Sequence, residues 1–152
     1  MIKIICVGKI KEQFIKDGID EYLKRLQAFA KIEIIELKEI TNKTRDEIIK
    51  LESAEIKKFL NPKDYTICLD IDGTMMTSEK LASFIETTYA YQSSNLAFII
   101  GGSYGLSLEF KKDCHYRLSF SPMTFPHQLM RLILTEQIYR AFTIINHQEY
   151  HK

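Results

Sequence analysis

The segment Leu96-Ala-Phe-Ile-Ile-Gly-Gly-Ser-Tyr-Gly105 indicates the fold class most directly. Its first five residues are apolar on both faces of an extended chain, which is typical of a strand buried in a parallel sheet. Three glycines follow within five residues, and glycine lets the backbone turn sharply and approach a ligand closely. The segment therefore predicts a buried strand that ends in a loop suited to ligand contact.

The same alternation of strand and helix patterns extends along the whole chain. Predicted strands cover Ile2–Val7, Ile32–Leu37, Tyr65–Leu69, Leu96–Ile100 and Tyr116–Ser121. Predicted helices cover Glu12–Phe29, Thr44–Leu60, Ser78–Tyr91, a short segment from Ser107, and His127–Ile145. The second helix opens with a capping box formed by Thr44 and Glu47. Because alternating strands and helices form mostly parallel sheets with helices on both faces, we expect an α/β fold in a single domain, residues 1–152.

Composition and charge exclude several classes of protein. Of the 152 residues, 45% are hydrophobic and 27% are charged, as in ordinary globular domains. No apolar run approaches the roughly 20 residues of a membrane span, and the first residues are typical of a strand and not of a signal peptide. We therefore expect a cytoplasmic protein that does not enter a membrane. The net charge of +1 indicates no general attraction to free nucleic acid.

The three cysteines, Cys6, Cys68 and Cys114, do not indicate a metal site or a disulfide. Cys6 and Cys68 lie in apolar strand segments, where a thiol is usually a small buried hydrophobe. Their spacing matches no metal-binding pattern, and we expect no metal.

Three unusual loops follow the third, fourth and fifth predicted strands, at residues 70–73, 101–105 and 121–126. The first two contain glycine, and the third is stiffened by Pro122 and Pro126. Because the carboxyl ends of parallel strands meet at one edge of the sheet, we expect these loops to form one ligand pocket.

The segment Asp70-Ile-Asp-Gly-Thr74 offers a competing function. It resembles the first motif of haloacid-dehalogenase-type phosphohydrolases, with Asp70 as nucleophile and Asp72 as acid and base beside magnesium. That chemistry also needs a later acidic cluster to hold the metal, and Asp113 has no acidic neighbour in the sequence. The phosphohydrolase is kept as an alternative.

The last predicted helix, His127–Ile145, is apolar around most of its circumference. A narrow polar stripe interrupts it, formed by Arg131, Thr135, Glu136 and Arg140. A helix that is apolar nearly all round is buried nearly all round. We therefore expect a homodimer that covers its outer face, with Ile138 and Ile145 pointing outward. Glu136 and Arg140 also fit an ordinary helical ion pair.

Five motifs, taken in order, resemble a known family. They are Leu69-Asp70-x-x-Gly73, Ile100-Gly101-Gly102-Ser103-x-Gly105-Leu106, Leu118-Ser119-x-Ser121-x-Met123-Thr124-Phe125-Pro126-His127-Gln128-x-x-Arg131, Glu136-Gln137-x-Tyr139-Arg140-Ala141 and Tyr150-His151-Lys152. Together they are similar to the small pseudouridine N3-methyltransferases of 23S ribosomal RNA, in the SPOUT superfamily. Asp72 stands at a position that the family does not fix.

The resemblance implies a fold and a cofactor. The fold would be the SPOUT methyltransferase fold, an α/β fold with a C-terminal trefoil knot, although knots are nearly absent from proteins. The cofactor would be S-adenosyl-L-methionine. Its implied site comprises Leu69, Gly101, Phe120, Ser121, Pro122, Met123, Thr124 and Phe125.

The resemblance also implies a substrate and a catalytic group of residues. The substrate would be 23S rRNA in the assembled ribosome, bound by a homodimer. His151 and Tyr150 are candidates for the base or proton relay, and Glu136 and Arg140 for orienting groups. The polar segment 146–149 that precedes Tyr150 has little apolar surface, so we expect residues 146–152 to be mobile in one chain and to complete the partner's site. A dimeric RNA-binding module without catalysis is the other alternative.

Overall fold

The computed structural model describes residues 1–152 and contains five strands and five helices. The strands are β1 (Ile2–Val7), β2 (Ile32–Leu37), β3 (Tyr65–Met75), β4 (Leu96–Ile100) and β5 (Tyr116–Ser119). The helices are α1 (Gln13–Leu26), α2 (Arg45–Lys57), α3 (Ser78–Tyr91), α4 (Leu108–Asp113) and α5 (His127–Ile145). All strand pairs are parallel, in the order β2-β1-β4-β3-β5, which confirms the predicted α/β sheet.

Helices cover both faces of the sheet, and the sheet separates two hydrophobic cores. Ile2 and Ile4 belong to a core of 16 buried residues that is shared with α1, α3 and α5. Ile5 and Val7 belong to a core of 8 buried residues that is shared with α2 and α4. Because successive side chains of a strand point to opposite faces, β1 is buried at every position, and its one charged residue, Lys3, pairs with the buried Asp64 at 2.8 Å.

Two of the three cysteines are fully buried, one in each core. Cys6 lies in the larger core and Cys68 in the smaller one. Burial raises the pKa of the Cys6 thiol to about 12, so this group stays neutral at physiological pH. The prediction that these cysteines are small buried hydrophobes is confirmed.

Strand β3 extends beyond the end predicted at Leu69. Leu69 pairs with Leu118 of β5, the chain then bulges, and Thr74 pairs with the same Leu118. A Cβ atom added at Gly73 would lie 2.6 Å from the carbonyl oxygen of Arg117, so only glycine fits inside the bulge. The polar Asp-x-Asp-Gly segment is therefore a bulge within a strand, and the prediction of a free loop there was wrong. β5 in turn ends at Ser119, two residues earlier than predicted.

Helix α5 is enclosed by its own chain more completely than the sequence suggested. It lies against both α1 and α3, and none of its residues is exposed. Gly18 of α1 allows this approach, because a Cβ atom there would lie 2.9 Å from Cδ1 of Leu132. Ile138 is 0% exposed and belongs to the core, so its predicted outward position was wrong. Ile145 is half-buried and packs against the same core.

The polar stripe of α5 is divided between two environments. Arg131 and Thr135 are 0% exposed, whereas Glu136 and Arg140 are half-buried. The Arg131 guanidinium donates hydrogen bonds to Glu36 at 2.6 Å and to the carbonyl oxygen of Gly8 at 3.0 Å. Arg131 therefore ties α5 to the end of β1 and to β2, and only the second half of the stripe is accessible.

The strand order is consistent with the trefoil knot that the resemblance implies, and the knot stays a prediction. None of the five helices combines the length and the hydropathy that crossing a membrane requires.

Candidate functional site

A cavity of about 770 Å³ lies at the carboxyl ends of β3, β4 and β5. Its wall contains residues of the β3 bulge, the loop after β4 and the loop between β5 and α5. Seven of the eight residues expected at a cofactor site line it, namely Leu69, Gly101, Phe120, Ser121, Met123, Thr124 and Phe125. Pro122, the eighth, lies between them in sequence but does not line the cavity. The volume falls within the range of small-molecule sites, roughly 300 to 1,000 Å³.

The loop after β4 is a tight glycine turn that stands beside the cavity. The amide of Gly105 donates a hydrogen bond to the carbonyl oxygen of Gly102 at 2.9 Å, and Gly105 has a φ of 80°, in the left-handed region. A Cβ atom added at Gly101 would lie 2.8 Å from the carbonyl carbon of Gly105. The sequence suggested that Gly101 makes room for a ligand. In the structure it makes room for the turn itself.

Glu52 of α2 supports this turn from behind, and sequence reasoning missed it. The side chain is buried, and its Oε2 atom accepts a hydrogen bond from the amide of Ile40 at 3.0 Å. Its Oε1 atom lies 2.6 Å from the place of a Cβ atom on Gly102, so a larger residue does not fit there. Burial raises the pKa of Glu52. An acidic residue within the polar run of a helix gives no sequence signal for such a role.

Asp70, at the floor of the cavity, is buried and fully engaged. Arg117 donates two hydrogen bonds to its Oδ2 atom, at 2.8 and 2.6 Å, and Lys111 donates one to Oδ1 at 3.0 Å. Burial alone would raise the pKa of Asp70, but the bonds from Arg117 and Lys111 outweigh it, and the pKa is lowered. A carboxylate held by two cations is a poor nucleophile, because its lone pairs are occupied. Asp70 is a structural anchor, and the phosphohydrolase interpretation is wrong.

Tyr150 and His151 fold back onto α5 of their own chain. The Tyr150 hydroxyl donates to Glu136 Oε1 at 3.1 Å, and its ring packs edge-on against Tyr139 with centroids 4.8 Å apart. Arg140 donates to Glu136 Oε1 at 2.5 Å, which confirms the helical ion pair, and lies 4.8 Å from the centre of the Tyr150 ring. The expectation that this segment lacks anchoring contacts was wrong, because polar and aromatic contacts replace the missing apolar surface.

The hydrogen bonds of His151 fix the position of its proton. Arg140 lies 3.1 Å from Nδ1, and Glu79 Oε1 lies 2.7 Å from Nε2. A guanidinium only donates, so Nδ1 accepts and the proton resides on Nε2. Both ring nitrogens of His151 are thus engaged within one chain. Glu79, on α3, is a contact that no sequence pattern indicated.

Tyr150 is held as a hydrogen-bond donor within one chain. Burial raises the pKa of its phenol, and hydrogen bonds with Tyr22 and Glu136 raise it further. The phenol therefore keeps its proton at physiological pH.

Glu136, Arg140, Tyr150 and His151 form a cluster that is separate from the cavity in one chain. None of Glu136, Arg140, Tyr150 and His151 lines the cavity. A smaller pocket of about 250 Å³ lies between them and shares Leu118, Phe120 and Phe125 with the cavity. Its other side includes Gln137, whose amide donates to Glu136 Oε2 at 2.8 Å. The predicted site residues thus form two groups that this pocket connects.

The fold and the cavity define an α/β protein with a small-molecule site at the carboxyl edge of a parallel sheet. The profile of a family described as "Predicted SPOUT methyltransferase" matches residues 1–151. The chain belongs to the SPOUT methyltransferase family.

Curated relatives match over nearly the full chain. A protein of Bacillus pumilus is 50% identical, one of Alkaliphilus oremlandii 49%, and one of Streptococcus uberis 46%, each over 157 aligned residues and 99% of both chains. All three are named ribosomal RNA large subunit methyltransferase H. A solved structure of a probable methylase family protein from Haemophilus influenzae is 14% identical, with a TM-score of 0.55 over 99% of this chain and 70% of that one. That likeness supports the fold alone.

The ion pairs of Asp70 generate a prediction about stability. Asp70→Asn should lower the free energy of unfolding at pH 7 by about 2 kcal/mol, because two charged hydrogen-bond donors lose their partner. Because the pKa of Asp70 is lowered in the folded protein, its ion pairs stabilise the fold at pH values above 3.8, the ordinary pKa of the group. This stabilisation is lost as the pH falls below that value. The difference between wild type and variant should therefore shrink in acid, as measured by urea unfolding across pH.

The matched control is Asp72→Asn, an equal change of charge at an exposed neighbour. It should change stability by less than about 0.5 kcal/mol. Equal losses in both variants, or a loss at Asp70 that persists unchanged into acid, would contradict the anchoring role.

Proposed function

We propose that this protein transfers a methyl group from S-adenosyl-L-methionine to N3 of a pseudouridine in 23S rRNA, acting as a homodimer on the assembled ribosome in the cytoplasm. The observation that carries the proposal is the cavity, whose walls contain seven of the eight residues implied by the resemblance. Family membership supports methyl transfer, and the names of the relatives support ribosomal RNA as the substrate.

The cavity fits the chemistry of the cofactor. Leu69, Ile100 and Leu118 supply apolar contact for an aromatic base, and the adjoining loops offer backbone donors and acceptors. His127 lines the same cavity, and burial lowers the pKa of its imidazole, so it is neutral at pH 7. A neutral imidazole avoids repulsion of a cationic cofactor. When bound, S-adenosyl-L-methionine supplies a methyl group carried by a sulfonium.

The protein's contribution to the reaction is mainly alignment. The acceptor nitrogen must approach the methyl group in line, and holding both partners in that geometry accounts for a large part of the acceleration. The acceptor is an imide nitrogen, which has to lose its proton. We assign His151 as the group that takes up or relays this proton. Glu136 and Arg140 orient it, and Tyr150 donates a hydrogen bond.

A second subunit would bring together the cavity and the cluster, which are separate within one chain. In one chain both nitrogens of His151 are engaged and the residue lies outside the cavity. We propose that residues 146–152 of one subunit reach the cavity of the other. The dimer face would include the small pocket, which is lined by Ile133 and Phe125, together with the exposed Met75 and Met123 beside it.

A non-catalytic RNA-binding dimer is the alternative, and one experiment separates the two. Purified protein is incubated with radiolabelled S-adenosyl-L-methionine and ribosomes from cells that lack this activity. The proposal predicts label in 23S rRNA at one pseudouridine. Ribosome binding without any label in RNA would support the non-catalytic module.

The close packing within the glycine turn leads to a prediction about cofactor affinity. Gly101→Val should weaken S-adenosyl-L-methionine binding at least tenfold, because its side chain displaces the Gly105 backbone and deforms the cavity wall. Calorimetry with a chelator present measures the affinity. The control is Ser103→Ala at the tip of the same turn, which should bind normally. Normal binding by a folded Gly101→Val protein would remove this loop from the cofactor site.

The proposed interface predicts which substitution dissociates the dimer. Ile133→Glu places a charge in the apolar pocket on α5 and should convert the dimer to a soluble monomer in sedimentation experiments. Leu108→Glu is the control, since Leu108 is 69% exposed on α4, behind the opposite face of the sheet. A soluble Ile133→Glu protein that remains dimeric would refute the interface. Ile138 is unsuitable for this test because it lies in the core.

Removal of residues 150–152 should separate binding from catalysis. We expect cofactor affinity to stay within about twofold, while methyl transfer falls at least a hundredfold through loss of proton transfer. His151→Ala should lower kcat to a similar extent, and Glu149→Ala, an exposed neighbour without contacts to the cluster, should not. If the truncated protein methylates ribosomes at the normal rate, catalysis belongs to the α5 residues alone.

A further inference from the structure

Two loops beside the cavity carry more positive charge than the chain as a whole. Residues 8–12 follow β1, and residues 38–45 follow β2 and include the first residue of α2. Together they contain five cations and two carboxylates, a net charge of +3, whereas the whole chain has a net charge of +1. The charge of the molecule is therefore distributed unevenly, and these two loops at the carboxyl edge of the sheet carry an excess of positive charge.

The cations of these two loops are accessible to a ligand. They are Lys9, Lys11, Lys38, Lys43 and Arg45, and all five are exposed. None of them takes part in an ion pair with a carboxylate of the chain. By contrast, Lys111 and Arg117 of the neighbouring cavity floor are both bound to Asp70. The exposed charge is thus neither neutralised nor used to hold the fold together.

Both loops adjoin the cavity. The amide of Lys11 donates to the side-chain oxygen of Gln128, in the first turn of α5, at 2.9 Å. Ser103, in the glycine turn, donates to Glu39 at 3.4 Å. Arg45 itself lines the cavity. The loops therefore form one border of the cavity mouth.

An exposed aromatic ring stands on this border. Tyr104 occupies the tip of the turn that is closed by the Gly105 to Gly102 hydrogen bond, and it is 49% exposed. The Arg45 guanidinium lies 5.6 Å from the centre of its ring. Aromatic rings and guanidinium groups of this kind stack with unpaired nucleobases. The turn fixes the backbone of Tyr104 beside the cavity.

We propose that Lys9, Lys11, Lys38, Lys43, Arg45 and Tyr104 form an RNA-binding rim beside the cavity. The lysines contact the phosphates of nucleotides that flank the methylated one, and an unpaired base stacks on Tyr104. The inference rests on the proposed function, because the flanking nucleotides must cross this border when the acceptor base reaches the cavity. It also accounts for RNA binding by a chain with little net charge, since the attraction is local.

The test compares two triple variants of the intact dimer with equal loss of charge. Lys9→Gln, Lys38→Gln and Lys43→Gln remove the rim charge. Lys24→Gln, Lys31→Gln and Lys63→Gln remove exposed, unpaired lysines at the opposite edge of the sheet. We expect the rim variant to raise the KM for ribosomes about tenfold and to reduce the salt dependence of ribosome binding by about two ion equivalents. The control triple variant should keep the wild-type KM for ribosomes and the wild-type salt dependence. Both triple variants should bind S-adenosyl-L-methionine with wild-type affinity.

The stacking contact is tested at Tyr104. Tyr104→Leu should raise the KM for ribosomes about tenfold, and Tyr104→Phe, which keeps the ring, should stay within about twofold of wild type. A photo-crosslinking residue at position 104 should become attached to RNA.

Several results would overturn the proposal of an RNA-binding rim. Equal KM values and salt dependence in the two triple variants would do so, as would equal KM values for Tyr104→Leu and Tyr104→Phe. A crosslink from position 104 to protein would assign this surface to a protein partner. These outcomes differ from failure of the proposed function, in which the wild-type protein itself transfers no methyl group to ribosomes.

Discussion

The contact between Asp70 and two cations from different elements determines the form of the site. Asp70 lies at the start of the β3 bulge, Arg117 lies on β5, and Lys111 lies on α4. Three elements that are far apart in sequence are therefore joined at one buried carboxylate. Because the cavity lies directly above this point, its floor is fixed before any ligand binds. The bulge also allows β3 to pair with β5 a second time, beyond Asp70.

Helix α5 connects the two halves of the proposed machinery. Its first turn contributes His127 and Met130 to the cavity, and its middle carries Glu136 and Arg140. Arg131 lies between these two groups of residues, is buried, and is bound to Glu36, which links the helix to β2. The helix is rigid, so cavity and cluster keep a constant separation within one chain. Only the segment after Ile145 offers a route for His151 to change its surroundings.

The sequence allowed prediction of the features that depend on apolar periodicity and on the edge of a parallel sheet. The positions of β1 and β4 were predicted correctly, and so was the full length of α5, because buried strands and long helices give strong patterns. The meeting of the segments after Leu69, after β4 and after β5 at one cavity followed from sheet geometry alone, although the first of them is a bulge and not a loop. Thr44 was also correctly placed before α2, where its side chain accepts a hydrogen bond from the amide of Glu47.

Features that depend on contacts between distant residues were not predictable. The segment around Asp70 suggested a phosphohydrolase because Arg117 and Lys111, its partners, lie more than forty positions away. The burial of Glu52 and the contact of Glu79 with His151 have no local pattern either. Ile138 was assigned to the outside of α5 because the sequence does not reveal that α1 and α3 both pack against this helix.

We propose that each active site combines the cavity of one subunit with the C-terminal residues of the other. Co-expression of two tagged chains, one with Gly101→Val and one lacking residues 150–152, yields mixed dimers that can be isolated by tandem purification. With S-adenosyl-L-methionine held well below the dissociation constant of the Gly101→Val protein, each homodimer should have little activity. We expect mixed dimers, which keep one intact composite site of two, to methylate ribosomes at about half the wild-type rate. Mixed dimers that form and bind cofactor but remain as inactive as the parents would contradict it.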